Sequence, residues 1–265
     1  MVNLAAYDVI LVNSSGGKDS QTMLRHVVEL ADKAGIPRKR IVVAHADLGR
    51  AEWAGTAELA QRQAAFYGLR FEQVARPQGD LIDHIESRGM WPSPAQRYCT
   101  SDHKRGQIAK IIVKLHGEAK RRRGITHFRL LNCMGLRGEE SPARAKKTTF
   151  QQDKRASTQS RHVDTWLPIH DWTETQVWDS IRESGVPHHK AYDLGMPRLS
   201  CIFCIFAPKP ALILAGQHNP ELLAEYVDLE ARINHKFRMD TSMAEIQTAV
   251  KEGEAVGVMN GNWGL

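Results

Sequence analysis

Ser15-Gly16-Gly17-Lys18-Asp19-Ser20 stands between an apolar run, Val9-Ile10-Leu11-Val12, and a stretch where Met23, Leu24, Val27, Val28 and Ala31 recur at helical spacing. The run predicts a buried strand and the spacing predicts a helix, so these six residues form the turn between them. Two glycines allow successive backbone N–H groups to face one point, where the new helix also presents its positive end. That combination predicts an anion cradle suited to a di- or triphosphate. It is not the common nucleotide-binding loop, which needs GxxxxGK[ST].

The alternation continues outward. Arg40-Ile41-Val42-Val43-Ala44-His45 predicts a second strand, and Glu52 to Tyr67 a helix with Trp53, Ala57, Ala60 and Ala64 inward. Arg70 to Val74 predicts a third strand, Asp102 to His116 a helix with Ile108, Ile111, Ile112 and Leu115 on one face, and His127 to Cys133 a further strand. Such alternation predicts a doubly wound, mainly parallel α/β sheet with ligands at the carboxyl ends of the strands. The second half differs. Thr173-Glu174-Thr175-Gln176 is a capping box ahead of Val177, Trp178 and Ile181. Asn219-Pro220 starts a helix burying Leu222, Leu223, Tyr226, Val227 and Ile233. A boundary near residue 160 is expected, dividing an α/β portion, 1–160, from a helical C-terminal portion, 161–265.

A chain of 265 residues accommodates one large α/β domain, or a core domain with an appendage. No run approaches the roughly 18 to 20 apolar residues of a membrane helix. Met1 to Tyr7 lacks the basic region and cleavage signal of a secreted chain, so a cytoplasmic location is expected. The four cysteines then read as thiolates for metal, persulfide or core packing rather than as disulfides. A net charge of +6 suits an anionic partner. Lys120 to Arg123 is one basic run; Arg144, Lys146, Lys147, Lys154, Arg155 and Arg161 form another, against the single acid Asp153. This second stretch lacks apolar periodicity and reads as a mobile loop, either a solvated surface segment or a clamp on nucleic-acid phosphates.

Four further groups carry chemistry. His45-Ala46-Asp47-Leu48-Gly49 ends the second strand with an acid and a glycine; Asp47 suits a magnesium-bound water or a ribose hydroxyl, or an ordinary turn. Arg97-Tyr98-Cys99-Thr100-Ser101-Asp102-His103-Lys104 puts a thiol beside a helix start and two cations, which would lower its pKa. Gly135-Leu136-Arg137-Gly138-Glu139-Glu140-Ser141 follows a strand and offers an arginine to phosphate and carboxylates to metal. Tyr192 to Cys204 contains Arg198 and the pair Cys201-Ile202-Phe203-Cys204. The paired His188-His189 reads as polar surface.

Together SGGKDS, HxDxG, RxCxxxxK, GxRxxES, Pro168-Ile169-His170-Asp171-Trp172 with Val177-Trp178, and YxxGxxRxxCxxC occur in an order that resembles the PAPS reductase-like ATP pyrophosphatases, over roughly residues 8 to 206. The resemblance implies an adenine nucleotide alpha hydrolase-like fold and an adenine-nucleotide site made by Ser15, Gly16, Gly17, Lys18, Asp19, Ser20, Asp47, Gly49 and Arg137. Lys18, Asp19, Arg137 and Glu140 are the implied catalytic set, with Asp19 and Glu140 the candidates for Mg²⁺. Reductases of this family carry a cysteine near the C-terminus, whereas Cys204 is the last cysteine here and Val258 to Leu265 hold none. Cluster-bearing APS reductases also show adjacent cysteines where this chain has Cys99-Thr100. RYCTSDHKR is more similar to the DNA phosphorothioation branch. That branch implies ATP-dependent adenylation of a nucleic-acid acceptor, a sulfur donor such as a cysteine desulfurase, and an iron–sulfur cluster, 4Fe–4S in kind, on Cys99, Cys201 and Cys204. Cys133 is the remaining candidate for a fourth ligand or a buried core residue, and zinc is the competing metal. A sulfonucleotide reductase using an external thiol and a non-catalytic nucleotide-binding subunit stand as alternatives.

Overall fold

Val9 and Leu11 pack into one apolar core and Ile10 and Val12 into another, the alternation of a strand buried on both faces. The computed structural model describes residues 2–257 and 259. In chain order the elements are β1 (Val9–Asn13), α1 (Lys18–Lys33), β2 (Ile41–Asp47), α2 (Thr56–Phe66), β3 (Arg70–Ala75), α3 (Leu81–Arg88), the helical turn α4 (Tyr98–Thr100), α5 (Gly106–Arg123), β4 (Phe128–Cys133), α6 (Pro142–Ala145), β5 (Phe150–Gln152), β6 (Arg161–Trp166), α7 (Glu174–Ser184), α8 (Lys209–His218), α9 (Pro220–Ile233) and α10 (Met243–Lys251). A π-helical turn, Ser101–Arg105, lies between α4 and α5.

The six strands form one sheet in the order β3-β2-β1-β4-β6-β5. The pairs β1–β2, β1–β4 and β4–β6 are parallel, and β5–β6 is antiparallel. The doubly wound, mainly parallel α/β fold expected from the sequence is therefore present, and a helical C-terminal portion accompanies it. Helix α1 covers one face with Met23, Leu24, Val27, Val28 and Ala31, while α5 covers the other with Ile111, Ile112, Leu115 and Ala119. Strand order reverses at β1 and β4, the switch point where such sheets bind ligands beyond their carboxyl ends.

The division of the chain differs from a single cut near residue 160. One unit comprises Met1–Ala46, Gly55–Val74 and Arg105–His189; the other comprises Asp47–Ala54, Ala75–Lys104 and Lys190–Leu265. Strand β6 begins where the helical portion was expected because Val163 is a fully buried strand residue, hydrogen-bonded in register beside Leu130 of β4. The second unit has its own core, in which Trp91 stacks on Tyr226 at 5.3 Å and Trp53, Leu81, Ile82, Ile85, Leu212 and Ile246 pack. Trp53 thus belongs to this core and not to α2, which starts at Thr56.

The basic stretch read as a mobile loop is ordered. It contains α6 and β5, followed by a turn in which the Asp153 carboxylate accepts the N–H groups of Arg155 and Ala156, both at 3.0 Å. Its residues show no apolar period because β5 is an edge strand exposed at all three positions. No helix among the described residues is long and apolar enough to cross a membrane. Residues 258 and 260–265, which hold most of the cysteine-free C-terminal stretch, lie outside the described residues.

Candidate functional site

The phosphate loop leaves β1 at Asn13 and enters α1 at Lys18. Gly17 caps that helix without a side-chain hydrogen bond. The N–H groups of Gly17, Asp19 and Ser20 have no acceptor among the described residues, which is the condition for an anion site at a helix start. The amides of Ser15 and Gly16, expected in the same cradle, are taken internally: Ser15 N–H donates to Ser20 Oγ at 3.2 Å and Gly16 N–H to Ser14 Oγ at 3.3 Å. Those hydroxyls brace the loop. Buried His45 braces it from β2, its Nδ1 lying 3.0 Å from the Ser14 carbonyl.

Two buried cations meet this loop. Lys18, 3% exposed, lies 3.3 Å from the Glu174 carboxylate at the start of α7. Arg137, 2% exposed, donates through Nε to Asp19 Oδ1 at 2.5 Å and also pairs with Glu139. Glu139 in turn accepts the Glu174 N–H at 2.6 Å, so the network runs from Lys18 through Glu174 and Glu139 to Arg137 and Asp19. Burial opposes the Arg137 charge, but Asp19 and then Glu139 and Glu140 raise its pKa above the ordinary value. Gly135 lets this arginine approach. A Cβ there would stand 3.0 Å from the Asp19 carbonyl oxygen and 3.1 Å from Ser20 N. Any side chain would push the loop after β4 away from the first turn of α1.

The metal role expected of Glu140 does not match its surroundings. Its Oε2 accepts the Arg137 N–H at 3.1 Å and pairs with Arg144, so it holds the arginine loop in place. Asp19 differs, since its Oδ2 has no hydrogen-bond partner among the described residues. His170 completes the same corner: its backbone carbonyl accepts the Gly138 N–H at 2.8 Å, and its ring lies 3.0 Å from the Arg144 carbonyl and 2.9 Å from Asp171. That carbonyl, and then Asp171, raise its pKa.

In the second unit, the Asp47 carboxylate accepts the Gly49 N–H at 2.7 Å, closing the turn after β2. Gly49 has φ +68°, and a Cβ on it would lie 2.4 Å from the Cβ of Asp80, so only glycine fits. Asp80 is held there by Arg50, which also binds Asp83 and Glu225.

Cys99, Cys201 and Cys204 are half-buried and pack against the core of this unit. Around them lies a shared charge, Lys104. It is exposed by surface area, yet crowding by protein lowers its pKa, and Cys201, Glu52, Cys204 and Cys99 together outweigh that and raise it. Burial pushes the Cys201 thiol up to about 12, with Lys104 acting in the opposite direction, and burial likewise raises Cys204. Such thiols ionise readily only beside a bound cation, and thiolates are soft donors of the kind zinc and iron–sulfur clusters take, although the three sulfurs do not all lie within 4.8 Å of one another. Cys133 does not fit that set. It is fully buried on β4 in the sheet unit, in a core with Ile10, Val12 and Ile169, and burial alone raises its pKa strongly. It is a core residue.

A family model for the phosphoadenosine phosphosulfate reductase domain matches residues 9–207. The chain belongs to this family. It is 27% identical over 173 residues to an uncharacterized 37.8 kDa protein of Escherichia phage 186, a match covering 65% of this chain and 49% of that protein. It is 28% identical over 154 residues to the adenosine 5′-phosphosulfate reductase of Allochromatium vinosum, covering 56% of this chain and 52% of the relative. The chain thus spans about half the length of these curated relatives. The crystal structure of a PAPS reductase from Candida auris aligns with 75% of this chain and 83% of its own at 14% identity, with a TM-score of 0.47.

Within the PAPS reductase domain, the sequence singled out the glycine loop, the GxR arginine and the three thiols, and the structure joins the first two through Arg137 and Asp19. It missed Glu174 as the partner of Lys18, His45 as the loop's support and Glu139 as the link between them. Glu174 was visible only as the first helical residue of a capping box, where an acid is favoured for reasons internal to the helix.

Proposed function

We propose that the chain is an ATP pyrophosphatase and sulfurtransferase: it adenylates an acceptor and supports transfer of sulfur to it. One observation supports this most. Three amides without acceptors stand at the start of α1, at the carboxyl end of β1, and buried Lys18 and Arg137 are tied to the same turn. ATP lies with its β- and γ-phosphates on those amides. Lys18 exchanges Glu174 for a phosphate oxygen, and Arg137 neutralises charge as it builds on pyrophosphate. An oxygen of the acceptor attacks the α-phosphorus and pyrophosphate leaves; the protein's part is alignment and charge neutralisation. Asp19 is the residue that fits Mg²⁺ entering with ATP, where the ion would draw charge from the phosphate oxygens.

The acceptor is nucleic acid, in line with the basic stretch and with the likeness of RYCTSDHKR to the DNA phosphorothioation branch. A donor protein such as a cysteine desulfurase supplies the sulfur that displaces AMP, in a cytoplasmic setting that keeps the thiols reduced. Cys99, Cys201 and Cys204 would hold an iron–sulfur cluster, 4Fe–4S in kind, whose chemistry would be to present sulfide at an iron without a protein ligand. Zinc is the competing metal for the same thiols, and the visible spectrum of anaerobic protein separates the two.

The relatives' identity as adenosine 5′-phosphosulfate reductases favours a second reading, sulfonucleotide reduction with an external thiol. One experiment decides between them. Anaerobically purified protein is incubated with ATP and Mg²⁺ plus oligonucleotide, and separately with APS or PAPS plus a thiol donor. Pyrophosphate from the first supports adenylation, and sulfite from the second supports reduction. Neither product would overturn both and leave a nucleotide-binding subunit.

A further inference from the structure

Strand β5 ends the sheet, and the cations that flank it, like Lys33, Lys39, Arg62 and Arg121 to Arg123 elsewhere, form no ion pair among the described residues, whereas many other surface cations do. Arg25, Arg38, Arg50, Arg70, Lys114, Arg182, Lys209 and Arg232 each pair with a carboxylate. Lys146, Lys147, Lys154 and Arg155 are exposed and form no ion pair among the described residues. The lone acid between them, Asp153, is turned to its own backbone.

Register gives this charge a direction. Phe150 pairs with Trp166, and Trp166 pairs with Cys133, two residues before Gly135. The β5 end bearing Lys146 and Lys147 therefore lies at the carboxyl end of the parallel strands, where Arg144 already reaches Glu140 beside the Arg137 loop. Strand β6 starts at the opposite end, where Arg161 pairs with Phe128. There the two basic runs meet. His116 of α5 stacks on Phe128 at 5.3 Å and feels both Arg161 and Lys120, which add to burial in lowering its pKa. A six-residue strand at about 3.3 Å per residue makes this track roughly 20 Å long.

We infer that a single-stranded nucleic acid lies along the β5 edge, its phosphates on Lys146, Lys147, Lys154 and Arg155 and a base on the Phe150 ring. Phe150 is 42% exposed, opposite Trp166 at the carboxyl end of β6 and between the two basic pairs in sequence. An exposed ring has nothing to stack on in a duplex, whereas every base of a single strand offers a face. An acidic peptide would pair with the strand's backbone, but β5 offers only three residues for that. The track extends the nucleic-acid acceptor proposed above and leads it toward the Arg137 corner.

The test is fluorescence anisotropy with a labelled mixed-sequence oligonucleotide, as single-stranded DNA, single-stranded RNA and duplex DNA, without ATP. Four phosphate contacts give a log–log salt slope near −3, at about 0.7 per contact. K146A/K147A and K154A/R155A are each expected to weaken single-strand binding about tenfold and to flatten the slope by about 1.4. Phe150→Ala is expected to weaken it about tenfold, and Phe150→Trp to restore it. Thermal midpoints of the variants guard against loss of fold. Tighter binding of duplex overturns the inference, as do double variants within about twofold of wild type. Absence of binding by all three oligonucleotides overturns it too. Pyrophosphate release is measured separately, so binding without turnover would reject the adenylation reading and leave the track standing.

Discussion

Arg137 is buried among acids and yet carries no fixed duty to the fold that a lysine would not meet electrostatically. Asp19, Glu139 and Glu140 need a positive charge near them, and an ammonium supplies one. An ammonium cannot reproduce the planar fork that meets Asp19 on one side and Glu139 on the other and that the proposed reaction turns toward a phosphate. Arg137→Lys is therefore expected to fold and to lose pyrophosphate release by on the order of 100-fold in kcat/KM. Release within about twofold of wild type would remove Arg137 from the reaction. Arg137→Ala is a different case: it removes the partner of Asp19, 16% exposed, while Glu139 is 52% exposed and Glu140 keeps Arg144, so the expected cost is about 1–3 kcal/mol of stability. Gly135→Ala tests the approach itself. The added methyl would meet the backbone of Asp19 and Ser20 at 3.0–3.1 Å, which no side-chain rotation relieves. The expected loss is about 1–3 kcal/mol by urea denaturation, together with weaker ATP binding by calorimetry. Lost stability with intact ATP affinity would show that the two loops do not form one site.

Among the elements, α3 and the π-helical turn are joined by a histidine pair that makes the second unit sensitive to acid. His84 Nδ1 and His103 Nε2 lie 3.0 Å apart, and His103 Nδ1 is buried without a partner. Burial, and then the charge of His84, lower the His103 pKa to about 4 from an ordinary 6.5. The unfolded chain takes up a proton below about 6.5 and the native one does not until about 4, so the stability present above that window is lost as pH falls through it. The loss is up to about 3 kcal/mol. Urea midpoints should fall between pH 7 and 5 for wild type, and less steeply for His103→Gln, which keeps a hydrogen-bonding group but does not titrate. Parallel lines for the two proteins would refute a buried neutral pair. These elements also mark how far the sequence could be read. Helices with one apolar stripe, such as α1, α5, α7 and α9, and strands buried on both faces, such as β1 and β4, show their period directly. Edge strand β5 buries nothing and so has no period, and the π-helical turn shifts the start of α5 from the expected 102 to Gly106. The Lys18–Glu174 contact depends on the packing of α7 against α1, which no local pattern records.

For the molecule as a whole, the division into two cores sorts four cysteines of the same kind into two kinds of chemistry. Sequence spacing alone left Cys133 open as a ligand, because a thiol at a strand end reads the same whether it faces a metal or a core. The sheet core surrounds it with aliphatic side chains and no charge, so its proton is held and its sulfur fills volume. Cys99, Cys201 and Cys204 belong to the other core, share the field of Lys104 and retain partial exposure, the conditions under which a cation can take the protons' place. Metal content should follow that division. Anaerobically purified C133A is expected to keep the iron or zinc per chain of wild type and its absorption spectrum, at a stability cost on the order of 1 kcal/mol. C99A, C201A and C204A are each expected to lose most of the metal. Removing metal from wild type with a chelator should lower its thermal midpoint, and should leave that of C201A/C204A where it was. If C133A loses metal along with the other three, or if none of the four does, the assignment of three thiols to one centre fails.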